Sequence, residues 1–378
     1  MRNFKLLLLS MLVLLLLVGC SSTTTEEIIT EKPTANPPVV VTQKQSQPQA
    51  ASEEKPATAE KAASSEAADK ATADSQPQPS EQKPAATVKP STTPTATLWV
   101  TRDFGAQTIA ASQVAVGDGG TVMDILKGHT KLETQYGGGF VSAINGLASG
   151  YTGPDKIKRD WFYYMNGIMT SVGAADYLPT PGEVIWWDYH DWGNTLFTPA
   201  VIGAYPQPFV GGYQGKYAGT LILTTAGCEQ QGQQLAQYLR SIGVKNVEQK
   251  PYNEQLLLAD NKITVVVGLW QQLAADSYWQ GLQQQRKKTG LFAELTADYF
   301  AALNIQGQQH QRYQNNTGAI VATGSGMGDA TPLWLVTGVD DAGLAGAINV
   351  LTNNPGTIKQ CLGALVVDGK VVPLPVAR

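Results

Sequence analysis

Residues 21–97 set the strongest limit on what this chain can fold into, because they have almost nothing from which to build a core. The segment contains ten prolines and neither glycine nor any aromatic residue, and small, polar and charged residues supply most of the rest. Such a composition buries too little apolar surface to offset the entropy that ordering costs. We therefore predict a disordered tether over residues 20–97 and folded structure from Leu98 onward.

The tether follows a segment that is typical of an exported protein. A short basic start precedes an apolar run over residues 6–18, which is too short to span a bilayer as a mature helix. The run ends in Leu17-Val18-Gly19-Cys20, which resembles the bacterial lipobox, where cleavage before the cysteine accompanies diacylation of its thiol. We predict a lipoprotein signal peptide over residues 1–19 and lipidation at Cys20. The lipid would anchor the chain on the extracytoplasmic face of the cell membrane.

The folded part of this 378-residue chain is long enough for two domains with separate cores. Short strands and turns dominate residues 98–194, with one helix that Thr121 would cap. We predict a small α+β domain there, built from a mostly antiparallel sheet and that one helix. Residues 195–216 contain three prolines and a glycine pair, and we predict a linker.

Strands and helices alternate over residues 217–378, which predicts an α/β layered domain with a largely parallel sheet. We expect helices around Trp270 to Lys288 and from Phe292 to Leu303. A hairpin should close the chain around Asp368-Gly369.

No pattern of residues points to catalysis or to a metal. Gly324-Ser325-Gly326-Met327-Gly328 lacks the lysine of a phosphate-binding loop and precedes a strand, so it should be a turn. Asp188 alternates with its aromatic neighbours, and we expect it on a solvated strand face. The three histidines, His190 among them, lie far apart in sequence, and the cysteines lack metal-site spacing. We predict no enzymatic activity. Cys228 and Cys361 either form a disulfide or remain free and buried, and the sequence leaves both alternatives open.

Four segments resemble, in order, the motifs of the DUF4430 family. They are Gly120 to Leu126, Phe140 to Gly146, Trp161 to Gly167 and Gly182 to Tyr189. The resemblance covers about residues 98–192. This family is similar to the C-terminal β-domain of the animal cobalamin carriers, which closes over a corrin ring held by a helical domain. The resemblance implies a protein that binds cobalamin or a related corrinoid, although the sequence contains no such helical domain.

Aromatic side chains are concentrated between residues 161 and 192, where four of the eight tryptophans lie. Strand alternation divides them between two faces, of which one must be core. The other face would then carry more aromatic side chains than contact with solvent favours, which predicts an exposed binding platform. Such a platform suits a corrin ring, a sugar or a peptide. The candidate ligand-binding residues are Phe140, Trp161, Tyr163, Tyr164, Asn166, Trp186, Trp187, Tyr189 and Trp192.

These patterns predict a membrane-anchored, extracellular ligand-binding lipoprotein. It would capture cobalamin or a related corrinoid for uptake and pass it to a membrane transporter. We expect no cofactor apart from cobalamin as a bound ligand. We also expect no nucleic-acid partner, because only 15% of the residues are charged and the net charge is −4. The alternative is a non-enzymatic surface adhesion or interaction module whose aromatic residues bind protein or cell-wall glycan.

Overall fold

The computed structural model of the chain describes residues 93–195, 197–258 and 261–376. All of these residues lie within one compact unit. They form several sheets and few helices. In this part of the chain, no helix is both long and apolar enough to cross a membrane. The predicted signal peptide, the lipidation site Cys20 and the tether up to residue 92 lie outside the described residues.

The amino-terminal half consists of two small sheets and one helix. Its elements are β1 (Thr95–Arg102), β2 (Gln107–Ala115), α1 (Val122–His129), β3 (Leu132–Gln135), β4 (Phe140–Ile144), β5 (Leu147–Ala148), β6 (Arg159–Met165), β7 (Ile168–Met169) and β8 (Val184–Asp191). The first sheet has the order β2-β1-β8-β6-β7, in which β1 and β8 are parallel and the other pairs antiparallel. The second sheet is antiparallel, with the order β3-β4-β5.

Helix α1 begins where the sequence predicts. The Thr121 hydroxyl accepts a hydrogen bond from the Asp124 amide at 3.1 Å, and the Asp124 carboxylate accepts from the Thr121 amide at 3.0 Å. This reciprocal cap satisfies two amides that have no partner within the helix, and such a cap contributes about 1 kcal/mol. Val122 and Leu126 are fully buried and direct the apolar side of the helix toward the first sheet.

The carboxyl-terminal half is built around a seven-stranded sheet. Its elements are β9 (Gly219–Thr224), α2 (Glu229–Ser241), β10 (Val247–Pro251), β11 (Lys262–Leu269), α3 (Trp270–Leu273), α4 (Ser277–Gln284), α5 (Arg286–Thr289), β12 (Ala293–Leu295), β13 (Phe300–Leu303), β14 (Gln309–Tyr313), β15 (Thr317–Thr323), β16 (Leu333–Gly338), α6 (Asp341–Asn353), β17 (Gly363–Val367) and β18 (Lys370–Leu374). The large sheet has the order β10-β9-β11-β16-β15-β17-β18, and β12, β13 and β14 form a separate antiparallel sheet.

Two expectations for this half need correction, whereas the helices expected around Trp270 to Lys288 are confirmed. The large sheet is mixed, because β10, β9, β11 and β16 are parallel while β15, β17 and β18 join it antiparallel. The segment from Trp270 to Lys288 is divided among three short helices. The segment from Phe292 to Leu303 is not a helix but the hairpin of β12 and β13, which turns where the Thr296 hydroxyl accepts from the Tyr299 amide. Packing of Leu295 and Phe300 in the core outweighs the helical propensity of this segment.

The two faces of the first sheet belong to different cores. On one face, Ile185 and Trp187 pack in a cluster that also holds Leu126 of α1. On the other face, Trp99 and Trp186 belong to a cluster shared with strands of the large sheet. Both faces of the first sheet are therefore covered by other parts of the same chain.

The segment over residues 195–216, which we predicted as a linker, is largely buried. Val201 packs in the cluster shared by the first and large sheets, and Ile202 and Phe209 pack in the cluster on the other side of the large sheet. Cys228 and Cys361 lie in that same second cluster, where both are buried and free. Of the two alternatives that the sequence leaves open, the structure therefore has the free thiols.

Candidate functional site

Most of the predicted ligand-binding residues lie in the interior. Six of the nine are buried: Trp161, Tyr164, Asn166, Trp186, Trp187 and Tyr189. The expectation of an exposed platform on the first sheet is thus wrong, because the carboxyl-terminal half covers the face opposite helix α1. Aromatic rings bury more apolar surface than other side chains do, so their burial in the core is energetically favourable. Phe140, Tyr163 and Trp192 remain partly exposed.

Contacts among these buried residues build the domain. Tyr163 stacks on Trp187 with ring centroids 4.7 Å apart. Asn166 forms a tight turn with φ of 55° between β6 and β7. Its side-chain amide donates to the Gly212 carbonyl and to the Glu183 carboxylate, and its carbonyl accepts from the Val184 amide. Asn166 therefore positions backbone rather than a ligand.

Asp188 is fully buried, which corrects the expectation of a solvated carboxylate. It accepts hydrogen bonds from the Thr101 hydroxyl at 2.5 Å and from the amides of Phe104 and Gly105 at 3.0 and 2.8 Å. Residues 103–105 all have positive φ, a conformation that costs energy in non-glycine residues. The carboxylate holds this loop against the sheet. Strand alternation placed Asp188 opposite its aromatic neighbours correctly, but it could not show that this second face is also covered.

His190 completes a buried polar cluster that the sequence alone did not assemble. Its Nδ1 lies 2.7 Å from Asp188, and the ring stacks between Phe104 and Phe162 at centroid distances of 4.5 and 4.3 Å. Because a carboxylate only accepts hydrogen bonds, Nδ1 carries the proton. Asp160 faces His190 in the register of β6 and β8, and burial raises the pKa of this carboxyl above its usual value.

The hydrogen bonds around Asp188 and His190 are arranged to stabilise the fold. The hydroxyl that contacts the Asp188 carboxylate belongs to Thr101, which accepts in turn from Trp186 Nε1 at 2.7 Å. Catalytic triads instead place the nucleophile's hydroxyl on the histidine. Within the part of the chain that the structure describes, no group of three or more His, Cys, Asp or Glu side chains could hold a metal ion. The glycine-rich loop predicted as a turn is held by Asp329, which accepts from the Ser325 amide at 2.8 Å.

Exposed and partly exposed aromatic side chains form two contacting pairs elsewhere in the amino-terminal half. We call Tyr136, Phe140, Tyr151 and Trp192 the aromatic patch. Tyr136 is 76% exposed, and its ring centroid lies 6.0 Å from that of Phe140. Tyr151 is 46% exposed, and its ring centroid lies 5.2 Å from that of Trp192. The first pair lies where β3 ends and β4 begins, and the second pair joins the segment after β5 to the residue that follows β8.

Two lysines border the aromatic patch. The Lys156 ammonium lies 5.8 Å from the centre of the Tyr151 ring, and the Lys158 ammonium lies 5.6 Å from the centre of the Trp192 ring. At these distances a cation is attracted to the face of the ring. The patch therefore offers flat apolar surfaces beside positive charge.

A cleft of about 440 Å³ lies between the segment that follows β8 and the carboxyl-terminal half. Its lining combines polar and apolar side chains: Asn194, Thr195, Gln284, Gln285, Arg286, Leu291, Phe292, Leu303, Ile305 and Gly307. None of these residues was predicted as a site residue, because the cleft forms only where two distant parts of the chain meet.

Comparisons with known proteins find a family model and solved structures, haptocorrin among them. The crystal structure of haptocorrin in complex with Cbi aligns at 18% identity with a TM-score of 0.21, and the match covers 25% of this chain. This chain accordingly spans about a quarter of the haptocorrin chain, or 24%. No curated protein matches. The model of the family described as "Domain of unknown function (DUF4430)" matches residues 119–191. Residues 119–191 therefore match the DUF4430 family, in agreement with the sequence motifs.

Proposed function

We propose that this protein is a ligand-binding lipoprotein of the extracytoplasmic membrane face, and that its ligand is cobalamin or a related corrinoid. The observation that carries the binding proposal is the aromatic patch. Exposed aromatic side chains that contact one another are uncommon on a surface that binds nothing. Phe140 and Trp192, two of the residues predicted from the sequence, belong to this patch.

The chemistry of the aromatic patch supports a flat ligand with some negative charge. Conjugated rings stack on aromatic side chains, and the neighbouring ammonium groups of Lys156 and Lys158 would pair with a phosphate such as the one in cobalamin. The patch also coincides with the DUF4430 segment and the residue directly after it. The resemblance of this family to the β-domain of cobalamin carriers supports the choice of a corrinoid.

The membrane anchor and the partner follow from the sequence. Cys20 ends a lipobox-like segment, and the residues after it have the composition of a spacer. A tethered binder of this kind would deliver its ligand to a transporter in the same membrane. The protein should incorporate radiolabelled palmitate in growing cells, and Cys20→Ser should abolish the labelling. A wild-type protein that takes up no label, or a Cys20→Ser variant labelled as strongly as wild type, would contradict the lipid anchor.

Titration with cyanocobalamin tests the ligand. We expect the chain from residue 21 onward to bind it, with changes in corrin absorbance and tryptophan fluorescence. Trp192→Ala and Tyr151→Ala should each weaken binding about tenfold, since a buried aromatic contact is worth roughly 1–2 kcal/mol in an interface. Tyr217→Ala is the matched control, because Tyr217 is also an exposed aromatic residue but lies outside the patch.

Two results would contradict the corrinoid proposal. One is the absence of binding at high micromolar cyanocobalamin, and the other is an equal loss of affinity in the Tyr217→Ala control. If the chain instead binds purified cell-wall glycan and loses that binding in Trp192→Ala, the aromatic patch serves adhesion.

A further inference from the structure

The cleft beside β8 has the properties of a second binding site, separate from the aromatic patch. Its volume of about 440 Å³ lies within the usual range for small-molecule sites, which is roughly 300–1,000 Å³. Its walls come from opposite halves of the chain, with Asn194 and Thr195 on one side and the helix α4–α5 region on the other. Junctions of this kind are common locations for ligand sites.

We propose that this cleft binds a small organic anion with an apolar body. The charge of the lining points to an anion, because Arg286 is its charged member and no lining residue is acidic. Within the described residues, Arg286 takes part in no ion pair. A guanidinium group pairs with a carboxylate, sulfonate or phosphate through parallel hydrogen bonds.

The remaining polar side chains suit the same class of ligand. Asn194, Gln284 and Gln285 each carry an amide that can donate to an anionic oxygen. Together with Arg286 they give the cleft several donors. A neutral or cationic ligand would leave the guanidinium unpaired, and the cost of desolvating it would oppose binding.

Apolar side chains form the rest of the cleft. Leu291, Phe292 and Leu303 are almost completely buried and belong to the core, so their positions are fixed by packing. Phe292 also packs edge to face against Phe104, with ring centroids 5.4 Å apart. This contact connects the cleft wall to the loop held by Asp188. A rigid apolar wall beside a charged group would hold the body of the ligand while Arg286 binds its anionic end.

A pair of fluorescent probes tests this proposal in the chain from residue 21 onward. Anilinonaphthalene sulfonate carries an anionic group on an aromatic body, and phenylnaphthylamine is its uncharged counterpart. Arg286→Gln should weaken binding of the sulfonate about tenfold and leave the neutral probe within about twofold. Ile305→Trp should fill part of the cleft and weaken both probes. Arg312→Gln removes the same charge outside the cleft and is the matched control.

The outcomes distinguish the cleft from other surfaces. The proposal is overturned if Arg286→Gln affects the sulfonate no more than Arg312→Gln does, or if Ile305→Trp leaves both affinities unchanged. Circular dichroism of each variant confirms that the fold is retained. Trp192→Ala should leave the sulfonate affinity unchanged, and a large loss there would assign the probe to the aromatic patch and overturn the proposal. Because cyanocobalamin is titrated separately, failure of the corrinoid proposal has no bearing on this result.

Discussion

Replacing Asp188 with alanine tests whether one buried carboxylate holds the loop over residues 103–105 against the first sheet. Asp188 is fully buried and accepts hydrogen bonds from two backbone amides, from the Thr101 hydroxyl and from His190 Nδ1. The alanine variant leaves the amides of Phe104 and Gly105 and the imidazole N–H without an acceptor. Phe104 and His190 are buried and Gly105 is partly buried, so water can replace the lost partner at most at Gly105.

The expected cost follows from the number of donors left unpaired. Each buried donor without a partner costs about 1–3 kcal/mol, and breaking a buried charged interaction costs about 3–5 kcal/mol. We therefore expect Asp188→Ala to lower the free energy of unfolding by about 4 kcal/mol. Asp188→Asn keeps one acceptor oxygen and most of the shape, and it should cost about 1–2 kcal/mol.

Urea denaturation followed by tryptophan fluorescence measures these differences. Asp191→Ala is the control on the same strand, because the Asp191 carboxylate is only partly buried and accepts from the Gly193 amide. It should cost less than about 1 kcal/mol. His190→Ala should cost less in the Asp188→Ala background than alone, because the two side chains interact directly. A loss of stability in Asp188→Ala no larger than that in Asp191→Ala would show that the Asp188 carboxylate does not hold the loop.

Three further predictions concern a titration, two thiols and a close contact. Burial raises the pKa of Asp160 above its usual 3.8, so the folded state binds this proton more tightly than the unfolded chain does. The associated stability is lost as pH rises through the folded pKa, so the free energy of unfolding should fall relative to that of Asp160→Asn as pH rises above 3.8. A difference that stays constant with pH would contradict this. Cys228 and Cys361 are buried and free, and burial raises the pKa of Cys361 to about 12. The chain from residue 21 onward should show two thiols to Ellman's reagent only after denaturation, whereas a denatured chain without thiols would mean that they pair. A methyl group at Gly203 would lie 2.6 Å from the Cys361 amide nitrogen, so Gly203→Ala should lower the free energy of unfolding by about 1–3 kcal/mol. A methyl group at Gly281 within α4 meets open space, so Gly281→Ala should raise the free energy of unfolding by about 0.5–1 kcal/mol. Equal urea midpoints for the Gly203 and Gly281 variants would disprove the close contact at Gly203.

Local signals in the sequence predicted the elements whose ends are fixed by neighbouring residues. Thr121 and Asp124 form the cap that begins α1. Asp368 and Gly369 turn the last hairpin as expected, because both have positive φ between β17 and β18. The apolar run after Lys262 forms the buried strand β11. In each case the residues that determine the structure lie within a few positions of one another.

Sequence patterns failed where distant parts of the chain decide the outcome. Phe292 to Leu303 has the composition of a helix, yet burial of its alternate residues against the large sheet makes it a hairpin. Asp188 alternates correctly along its strand, yet the face on which it lies is covered. Three of the nine predicted site residues, Phe140, Tyr163 and Trp192, keep some exposure. The tyrosines that complete the aromatic patch come from a short 3-10 helix, for Tyr136, and from a turn, for Tyr151.

The period of each strand, the DUF4430 motifs and the polar segment before Leu98 could be predicted, since they depend on residue type and spacing alone. Only packing between distant segments covers both faces of the aromatic sheet and leaves the exposed rings in two pairs outside it. This packing also brings Asp188 to the loop at Phe104 and Arg286 to the segment after β8. The physical reason is that alternation assigns residues to faces, whereas the burial of a face depends on packing between segments far apart in the chain.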